Sequence, residues 1–316
     1  MSAGPAGDRV RTVYLGSGAF GIPALRRLAA HPRIELVGVV TAPAHPVGRR
    51  ATPTPTPIGA LAVELGIEPV LTPERLRAPG AIDLVLELRP ELAVLADYGQ
   101  IVPPALLGLP HGALNLHPSA LPRWRGASPI PATIAAGDAE TAVSLMRMDA
   151  GLDTGPLVAQ ERVALTGRET APELEARMAE LSAQLLERSL GPWLDGALPA
   201  VPQADEGVTV TRPLRRGDGR LDPTRPAVEL ERLVRAYLPW PGTDAQLGGE
   251  RLIVSAARVE PGQPGDTPGA LVREGPEPAL ATASGRLVLE RVTPPGKRPM
   301  TGADWLHGRR DQDWPA

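Results

Sequence analysis

The sequence predicts an α/β domain built on a parallel sheet with helices on both faces, followed by a small β-barrel or sandwich domain. Two observations favour this class. Short β-rich runs alternate with segments of helical spacing in the first part of the chain, whereas short β runs separated by Gly/Pro turns follow Val210. The length of 316 residues also suits two domains. We expect the first domain over residues 1–194, a linker over 195–210 and the second domain over 211–316.

The elements of the first domain follow from hydrophobic spacing. The predicted strands are Arg11–Gly16, Ile34–Val40, Leu92–Ala96, Ala113–Leu116, Thr141–Met148 and Val158–Leu165. The predicted helices are Ile22–Ala30, Ile58–Leu65, a short helix that follows Pro129 and reaches Ala136, and a long helix that begins near Thr170. Thr170 and Glu173 form a capping-box signature at the start of that helix, and Gly191-Pro192 interrupts its pattern.

The second domain is predicted to contain one helix and several short strands. The helix covers Ala227–Ala236, and the strands are Leu252–Ala256, Ala270–Val272, Ala279–Ala283 and Leu287–Val292.

Composition excludes several classes of protein. The chain has no cysteine, which rules out disulfides, thiolate metal sites and cysteine catalysis. Its one lysine, Lys297, does not lie in a phosphate-binding loop, and its five histidines show no metal-ligand spacing, so we expect no metal. The most apolar long window, Leu92–Pro110, contains Asp97 and three prolines, so no membrane span is expected. The net charge is −3, and the N-terminal residues lack the apolar core of a signal peptide, so we expect a cytoplasmic protein.

A glycine-rich turn is the first candidate site. Gly16-Ser-Gly18-Ala-Phe-Gly21 fits the GxGxxG pattern between a predicted strand and helix, as in dinucleotide-binding proteins. Such a site also needs an acidic residue at the end of the second strand, where this chain has Val39, Val40 and Thr41. A tight turn of small residues therefore explains the motif better than a nucleotide site does.

The second candidate site lies at the end of the strand near residue 115. Asn115 and His117 are two residues apart, so they point to the same face at the carboxyl end of a buried strand, where parallel sheets bind ligands. A carboxylate near the imidazole would fix its tautomer and favour its protonated form. Asp149 and Asp153 both lie in a glycine-containing loop downstream, and spacing alone does not choose between them.

These residues resemble a known family. The runs Asn115-Leu-His117-Pro-Ser-Ala-Leu-Pro122-Arg-Trp-Arg-Gly and Met148-Asp-Ala-Gly-Leu-Asp153-Thr-Gly are similar to those of the formyltransferases that use 10-formyltetrahydrofolate, and most of all to the methionyl-tRNA formyltransferases. Asp97-Tyr-Gly-Gln-Ile-Val-Pro103 resembles the folate-pocket loop, and Leu238-Pro-Trp-Pro-Gly242 resembles the start of the C-terminal domain. The resemblance covers nearly the whole chain in order.

The resemblance implies a fold, a reaction and roles for individual residues. It implies a Rossmann-like formyl-transfer domain followed by an OB-like barrel that binds tRNA, in a protein that we expect to be a monomer. The reaction moves a formyl group from 10-formyltetrahydrofolate, the co-substrate, to the α-amine of methionyl initiator tRNA. The implied sites are Asn115, His117 and Asp153 for catalysis, Ser119, Ala120, Leu121 and Pro122 for folate, and Arg49 and Arg50 for tRNA.

Several positions depart from the pattern of the family. The first glycine turn usually reads Gly-Thr-Pro-Asp/Glu-Phe, whereas this chain has Gly16-Ser-Gly18-Ala19-Phe20. Two lysines are absent from the basic loop that contains Arg49 and Arg50, and Ala120 stands where leucine is usual. Asp97 replaces a small apolar residue.

Three alternatives differ in substrate or in class. The first is a formyltransferase that acts on a small amine, such as a sugar nucleotide or a purine precursor. The second is a nicotinamide-dependent oxidoreductase built on the glycine turn, and the third is an RNA-binding protein without catalytic activity. A cluster of arginines at the entry to the second domain fits a tRNA ligand, although a solvated surface also explains it; the cluster comprises Arg212, Arg215, Arg216 and Arg220.

Overall fold

The computed structural model describes residues 9–47 and 52–308, and its contacts divide the chain into two compact units. The first unit draws on Met1–Ala127, Glu140–Val163 and Glu175–Val210, and the second on Ser128–Ala139, Ala164–Leu174 and Thr211–Ala316. The segment 195–210, which we predict to be a linker, lies in the first unit.

The first part of the chain forms strands and helices in alternation. The strands are β1 (Val10–Gly16), β2 (Ile34–Val40), β3 (His45–Val47), β4 (Thr52–Thr54), β5 (Val70–Leu71), β6 (Leu92–Ala96), β7 (Ala113–His117), β8 (Arg125–Gly126), β9 (Glu140–Arg147) and β10 (Leu157–Ala164). The helices are α1 (Ile22–Ala30), α2 (Pro57–Glu64), α3 (Ala81–Glu87), α4 (Pro104–Leu107), α5 (Pro129–Ala136) and α6 (Ala171–Leu194).

Seven of these strands form one sheet in the order β10-β9-β7-β6-β1-β2-β5. β1 pairs in parallel with both β2 and β6, and β6 pairs in parallel with β7, which confirms the predicted Rossmann-like α/β class. All five residues of β6 are buried, as is typical of a central parallel strand. β9 runs antiparallel to β7, so the sheet is not parallel throughout. The apolar pattern of β9 predicted its burial, but such a pattern does not encode strand direction.

The long helix α6 extends further than its sequence pattern suggested. It continues through Gly191-Pro192 to Leu194, so the predicted interruption at this dipeptide is wrong. Proline in the last turn removes only one terminal backbone hydrogen bond. The indole N–H of Trp193 also donates to the His111 carbonyl at 3.1 Å, which anchors the final turn. At the other end, the Glu173 carboxylate accepts from the Thr170 backbone N–H at 2.9 Å, as the capping-box signature predicted.

The second unit contains a curled antiparallel sheet, which confirms the predicted small β-rich domain. Its strands follow the order β12-β13-β16-β15-β14, with β17 paired to β16. Leu230, Leu233 and Val234 of its main helix are buried in a core with strand residues such as Leu252 and Leu289. The elements are β11 (Val210–Thr211), α7 (Ala227–Ala236), β12 (Thr243–Leu247), β13 (Glu250–Glu260), β14 (Leu271–Glu274), β15 (Glu277–Ala281), β16 (Arg286–Thr293), β17 (Met300–Thr301) and α8 (Gly302–His307).

A buried ion-pair cluster joins β16 to the loop that contains Asp266 and to the end of β14. Arg286 is only 6% exposed, and its guanidinium donates to both carboxylate oxygens of Asp266, at 2.8 and 2.6 Å, and to Glu274 at 2.9 Å. The hydrogen bonds from Arg286 lower the pKa of Asp266 from 3.8 to about 2.

We expect the Asp266→Asn substitution to lower the melting temperature most at neutral pH. The folded pKa of Asp266 lies below its unfolded value, so the stabilisation is complete above the unfolded pKa of 3.8 and is lost as the pH falls towards 2. The difference in melting temperature between wild type and variant should therefore shrink over this pH range. Thermal unfolding at a series of pH values measures it, with the exposed Asp205→Asn as control. If the difference in melting temperature stayed constant down to pH 2, the ion pair between Asp266 and Arg286 would not stabilise the fold.

Candidate functional site

Asn115 and His117 lie at the carboxyl end of β7, where sequence spacing predicted them. They alternate with Leu116, which is buried on the opposite face of the strand. The Asn115 side chain is half-buried and, within the described ranges, has no hydrogen-bond partner. Its amide N–H groups are therefore available to a ligand at this edge of the sheet.

The His117 ring is buried and is held by a hydrogen bond at one of its two nitrogens. Its Nε2 lies 2.9 Å from the backbone carbonyl of Trp124, which can only accept a hydrogen bond, so Nε2 carries a proton and donates. Its Nδ1 faces the Asp153 carboxylate at 3.7 Å. That distance is too long for a direct hydrogen bond, so Nδ1 is the ring nitrogen that remains available to a reacting group.

The structure separates the two aspartates that spacing left equivalent. Asp149 Oδ1 accepts hydrogen bonds from the Gly151 N–H at 2.9 Å and the Thr154 hydroxyl at 2.6 Å, so this carboxylate caps its own loop. Asp153 instead points towards His117, and its Oδ2 accepts from the Gly126 N–H at 2.7 Å.

The loop around Asp153 is tightly constrained. Asp153 itself adopts a left-handed conformation with φ of 51°, which is uncommon for a residue other than glycine. Gly155 passes so close to the chain that an added Cβ would lie 1.9 Å from the Arg147 carbonyl oxygen. Only glycine fits there, and its presence lets the loop turn back to bring Asp153 to the end of β7.

The predicted folate stretch forms a rigid loop after β7. Ser119 and Leu121 are buried, whereas Ala120 and Pro122 are partly exposed. The Ser119 hydroxyl donates to the Arg123 carbonyl at 2.7 Å, which closes the loop on itself. Ala120, Pro122 and the backbone are thus the parts of this stretch that a ligand could contact.

Three residues that support the site were missed by the sequence analysis. The Ser144 hydroxyl donates to the Ser119 carbonyl at 2.6 Å, and the Gln160 amide donates to the Leu121 carbonyl at 3.1 Å. Gln203 donates to the carbonyls of Asp153 and Gly155 at 2.8 and 2.7 Å. Each is a single polar residue without a motif, so only the tertiary structure reveals its role.

The glycine-rich turn is explained by its packing. An added Cβ would lie 2.6 Å from the Ala96 carbonyl at Gly16 and 2.5 Å from the Tyr14 hydroxyl at Gly21. At Gly18 it would lie 1.6 Å from the Asp97 carboxylate. A carboxylate packed against this turn repels phosphate, so the geometry disfavours the dinucleotide site of the oxidoreductase alternative.

Other predicted features can be located only in part. Arg49 and Arg50, the predicted tRNA contacts, lie outside the described residues. Among residues 9–47 and 52–308, no group of His, Cys, Asp and Glu side chains is arranged to hold a metal ion. In the same ranges no helix has both the length and the apolar character needed to cross a membrane.

Comparison with known proteins identifies the family. Residues 11–190 match the model of the formyl transferase family, and residues 213–310 match that of the formyl transferase C-terminal domain. The chain is 43% identical to a methionyl-tRNA formyltransferase of Roseiflexus sp. (strain RS-1), over 95% of this chain and 93% of the relative. It is also 43% identical to that of Myxococcus xanthus (strain DK1622), over 96% of both.

A solved structure shows the same fold. The methionyl-tRNA formyltransferase from Clostridium thermocellum superposes with a TM-score of 0.56 at 17% identity, over 79% of this chain and 94% of that one. The sequence matches extend over both domains and exclude the oxidoreductase alternative. The chain belongs to the methionyl-tRNA formyltransferase family.

Proposed function

We propose that this protein transfers a formyl group from 10-formyltetrahydrofolate to the α-amine of methionine carried by initiator tRNA, in the cytoplasm. The observation that carries the proposal is the match to methionyl-tRNA formyltransferases along nearly the whole chain. It is supported by the position of Asn115, His117 and Asp153 at one edge of the main sheet. The amine attacks the formyl carbon, and negative charge develops on the formyl oxygen.

Asn115 and His117 are suited to stabilise that oxygen. The Asn115 amide has two N–H donors and no partner elsewhere in the described chain, so it is free to bind a developing oxyanion. Because the Trp124 carbonyl holds Nε2–H, a protonated His117 directs its second N–H, at Nδ1, towards the space near Asp153. Each such donor typically contributes a factor of ~10²–10³ in rate.

Asp153 has two roles in this proposal. Its carboxylate faces Nδ1 at 3.7 Å and so orients the imidazole ring for its role as a donor to the oxyanion. Its carboxylate also accepts, directly or through water, the proton that the substrate ammonium must lose before it can attack. The hydrogen bond from the Gly126 N–H holds Oδ2 in place for both roles.

We assign folate binding to the loop of Ser119, Ala120, Leu121 and Pro122. The loop follows the catalytic strand directly, and Ser144 and Gln160 hold two of its carbonyls in place. A preorganised loop lowers the conformational cost of binding, which suits a site that must hold the formyl group within reach of Asn115.

A formylation assay with purified protein tests the proposed function. We expect conversion of methionyl initiator tRNA to its formyl derivative in the presence of 10-formyltetrahydrofolate, with no added metal. Formylation of a small amine in place of the tRNA would support the alternative of a sugar or purine-precursor formyltransferase. No formyl transfer to any amine would refute both assignments.

We further assign an exposed surface of the second unit to tRNA. The Trp240 ring is 52% exposed, and the Arg216 guanidinium carbon lies 5.8 Å from its centroid. Arg216 has no acidic partner in the described part of the chain, whereas Arg212 is bonded to Asp218. An exposed aromatic ring beside an unneutralised arginine can stack on a base and contact a phosphate.

We expect Arg216→Gln to weaken tRNA binding selectively. The KM for methionyl-tRNA should rise, and the slope of log affinity against log salt should fall by about one phosphate contact, while the KM for 10-formyltetrahydrofolate stays unchanged. Arg258→Gln is the matched control, because its guanidinium is already bonded to Glu260 and Glu277. Equal salt slopes in wild type and Arg216→Gln would place the tRNA elsewhere.

A further inference from the structure

Asp97 lies at the same edge of the sheet as the catalytic residues. It directly follows Ala96, which pairs with Gly16 of β1 on one side and with Leu116 of β7 on the other. Its backbone carbonyl accepts a hydrogen bond from the Ser17 N–H at 3.1 Å. Asp97 therefore follows β6 at this edge, one residue beyond the pair of Ala96 and Leu116.

The backbone and the side chain of Asp97 are both in unusual positions. Its φ of 51° is in the left-handed region, which non-glycine residues rarely adopt and which tends to mark functional sites. Its carboxylate lies directly over Gly18, where an added Cβ would be 1.6 Å from Oδ2 and 2.8 Å from Cγ. The backbone of Gly18, with φ of −80° and ψ of 174°, is one that any residue adopts. A side chain at position 18 would therefore displace the Asp97 carboxylate from its present position.

Gly18 and Asp97, which pack against each other, both depart from the pattern of the family. The acidic residue usual in the glycine turn is Ala19 here.

The Asp97 carboxylate has no neutralising partner. Within residues 9–47 and 52–308 it accepts no hydrogen bond and forms no ion pair. The Tyr14 hydroxyl nearby donates its proton to the Gly21 carbonyl at 2.8 Å. Desolvation raises the pKa of Glu175, and the charge of Asp97 raises it further, so this second carboxyl group does not offset the charge of Asp97. Although Asp97 is exposed, desolvation by the protein around its carboxyl group also raises the pKa of Asp97.

We propose that the Asp97 carboxylate binds the α-ammonium group of the aminoacyl substrate and holds it at the edge of the sheet to which Asn115 and His117 also belong. An unpaired carboxylate on a partly desolvated surface attracts a cation, and the substrate brings one to this edge. Binding involves a charge-assisted hydrogen bond and no proton transfer. The inference rests on the proposed function, because it takes the acceptor to be an aminoacyl-tRNA.

Binding of two tRNAs without folate tests this assignment. One is methionyl initiator tRNA at about pH 6, where the α-amine is protonated, and the other is its deaminated counterpart with a hydroxyl in place of the ammonium. Wild type should bind the ammonium form about tenfold more tightly, and Asp97→Asn should bind both equally. Equal binding by wild type, or discrimination retained by Asp97→Asn, would overturn the inference. If neither tRNA binds, the proposed function fails instead.

The contact with Gly18 provides an independent test. Gly18→Ala leaves the charge of Asp97 in place but forces its side chain away, so this variant should also lose the discrimination. Its melting temperature should fall, and Asp97→Ala in the same chain should restore it by making room for the new methyl group. Discrimination that survives in Gly18→Ala would contradict the assigned position of the carboxylate.

Discussion

Replacing His117 with alanine is expected to lower kcat for formyl transfer by at least ~10², because the reaction loses a donor to the developing oxyanion. His117 is 5% exposed and is held by the Trp124 carbonyl, so its ring geometry is set before substrate binds. The loss should appear in kcat more than in the KM for tRNA, since the donor acts mainly in the transition state. Steady-state formylation kinetics measure both.

Two controls separate chemistry from folding. His307→Ala removes an exposed histidine on α8 and should leave kcat unchanged. His117→Gln keeps an amide donor in a side chain of similar length, so it should retain the fold and recover part of the rate. A His117→Ala protein that is folded and keeps at least half of the wild-type kcat would remove His117 from the mechanism.

The second large effect is expected for Asp153→Asn. The amide oxygen can still accept the hydrogen bond from the Gly126 N–H, so the loop should keep its position. The negative charge that faces His117 at 3.7 Å is lost, however, and with it the base that accepts the proton of the substrate ammonium. We expect kcat to fall by ~10² or more with little change in melting temperature.

Asp149→Asn is the matched comparison for this variant. Asp149 lies four residues earlier in the same loop, and its carboxylate caps Gly151 and Thr154 and does not face the imidazole. Its substitution should cost some loop stability and little activity. If Asp149→Asn lost as much activity as Asp153→Asn, the loss would come from the loop as a whole, and the proposed roles of Asp153 would be wrong.

Most strands of the sheet in the first unit were predictable because they are strongly apolar, whereas β5, with only two residues, was not predicted. β2 and β6 begin and end at the residues that the hydrophobic runs predicted. In the second unit, β12 was missed because its sequence, TDAQL, is largely polar. Its inward residues Thr243, Ala245 and Leu247 do alternate with outward ones, but only one of the three is strongly apolar.

The candidate site was predictable in part. The positions of Asn115 and His117 follow from strand alternation, which is a local property of the sequence. His117 and Asp153 are 36 positions apart in the chain. Spacing alone did not favour Asp153 over Asp149 as the carboxylate near the imidazole. What separates the two carboxylates is the hydrogen bonding of each, and that depends on how the loop folds back.

Contacts between distant residues account for the remaining omissions. Gln203 lies in a stretch rich in Gly and Pro that predicts a linker, yet its side chain holds the loop of Asp153. The glycine turn matches a nucleotide-binding pattern in its residue types, and the sequence does not show what occupies the space beside Gly18. Asp97 fills that space from the loop that follows β6, and no local sequence pattern predicts such a contact.

The central claim is that His117 and Asp153 act together as one catalytic unit. Single-turnover rate constants for His117→Ala, Asp153→Asn and the double variant provide the answer. If Asp153 acts through His117, the double variant should be no more than about threefold slower than His117→Ala, because paired groups give strongly non-additive losses. A double variant whose loss equals the product of the two single losses would contradict the account.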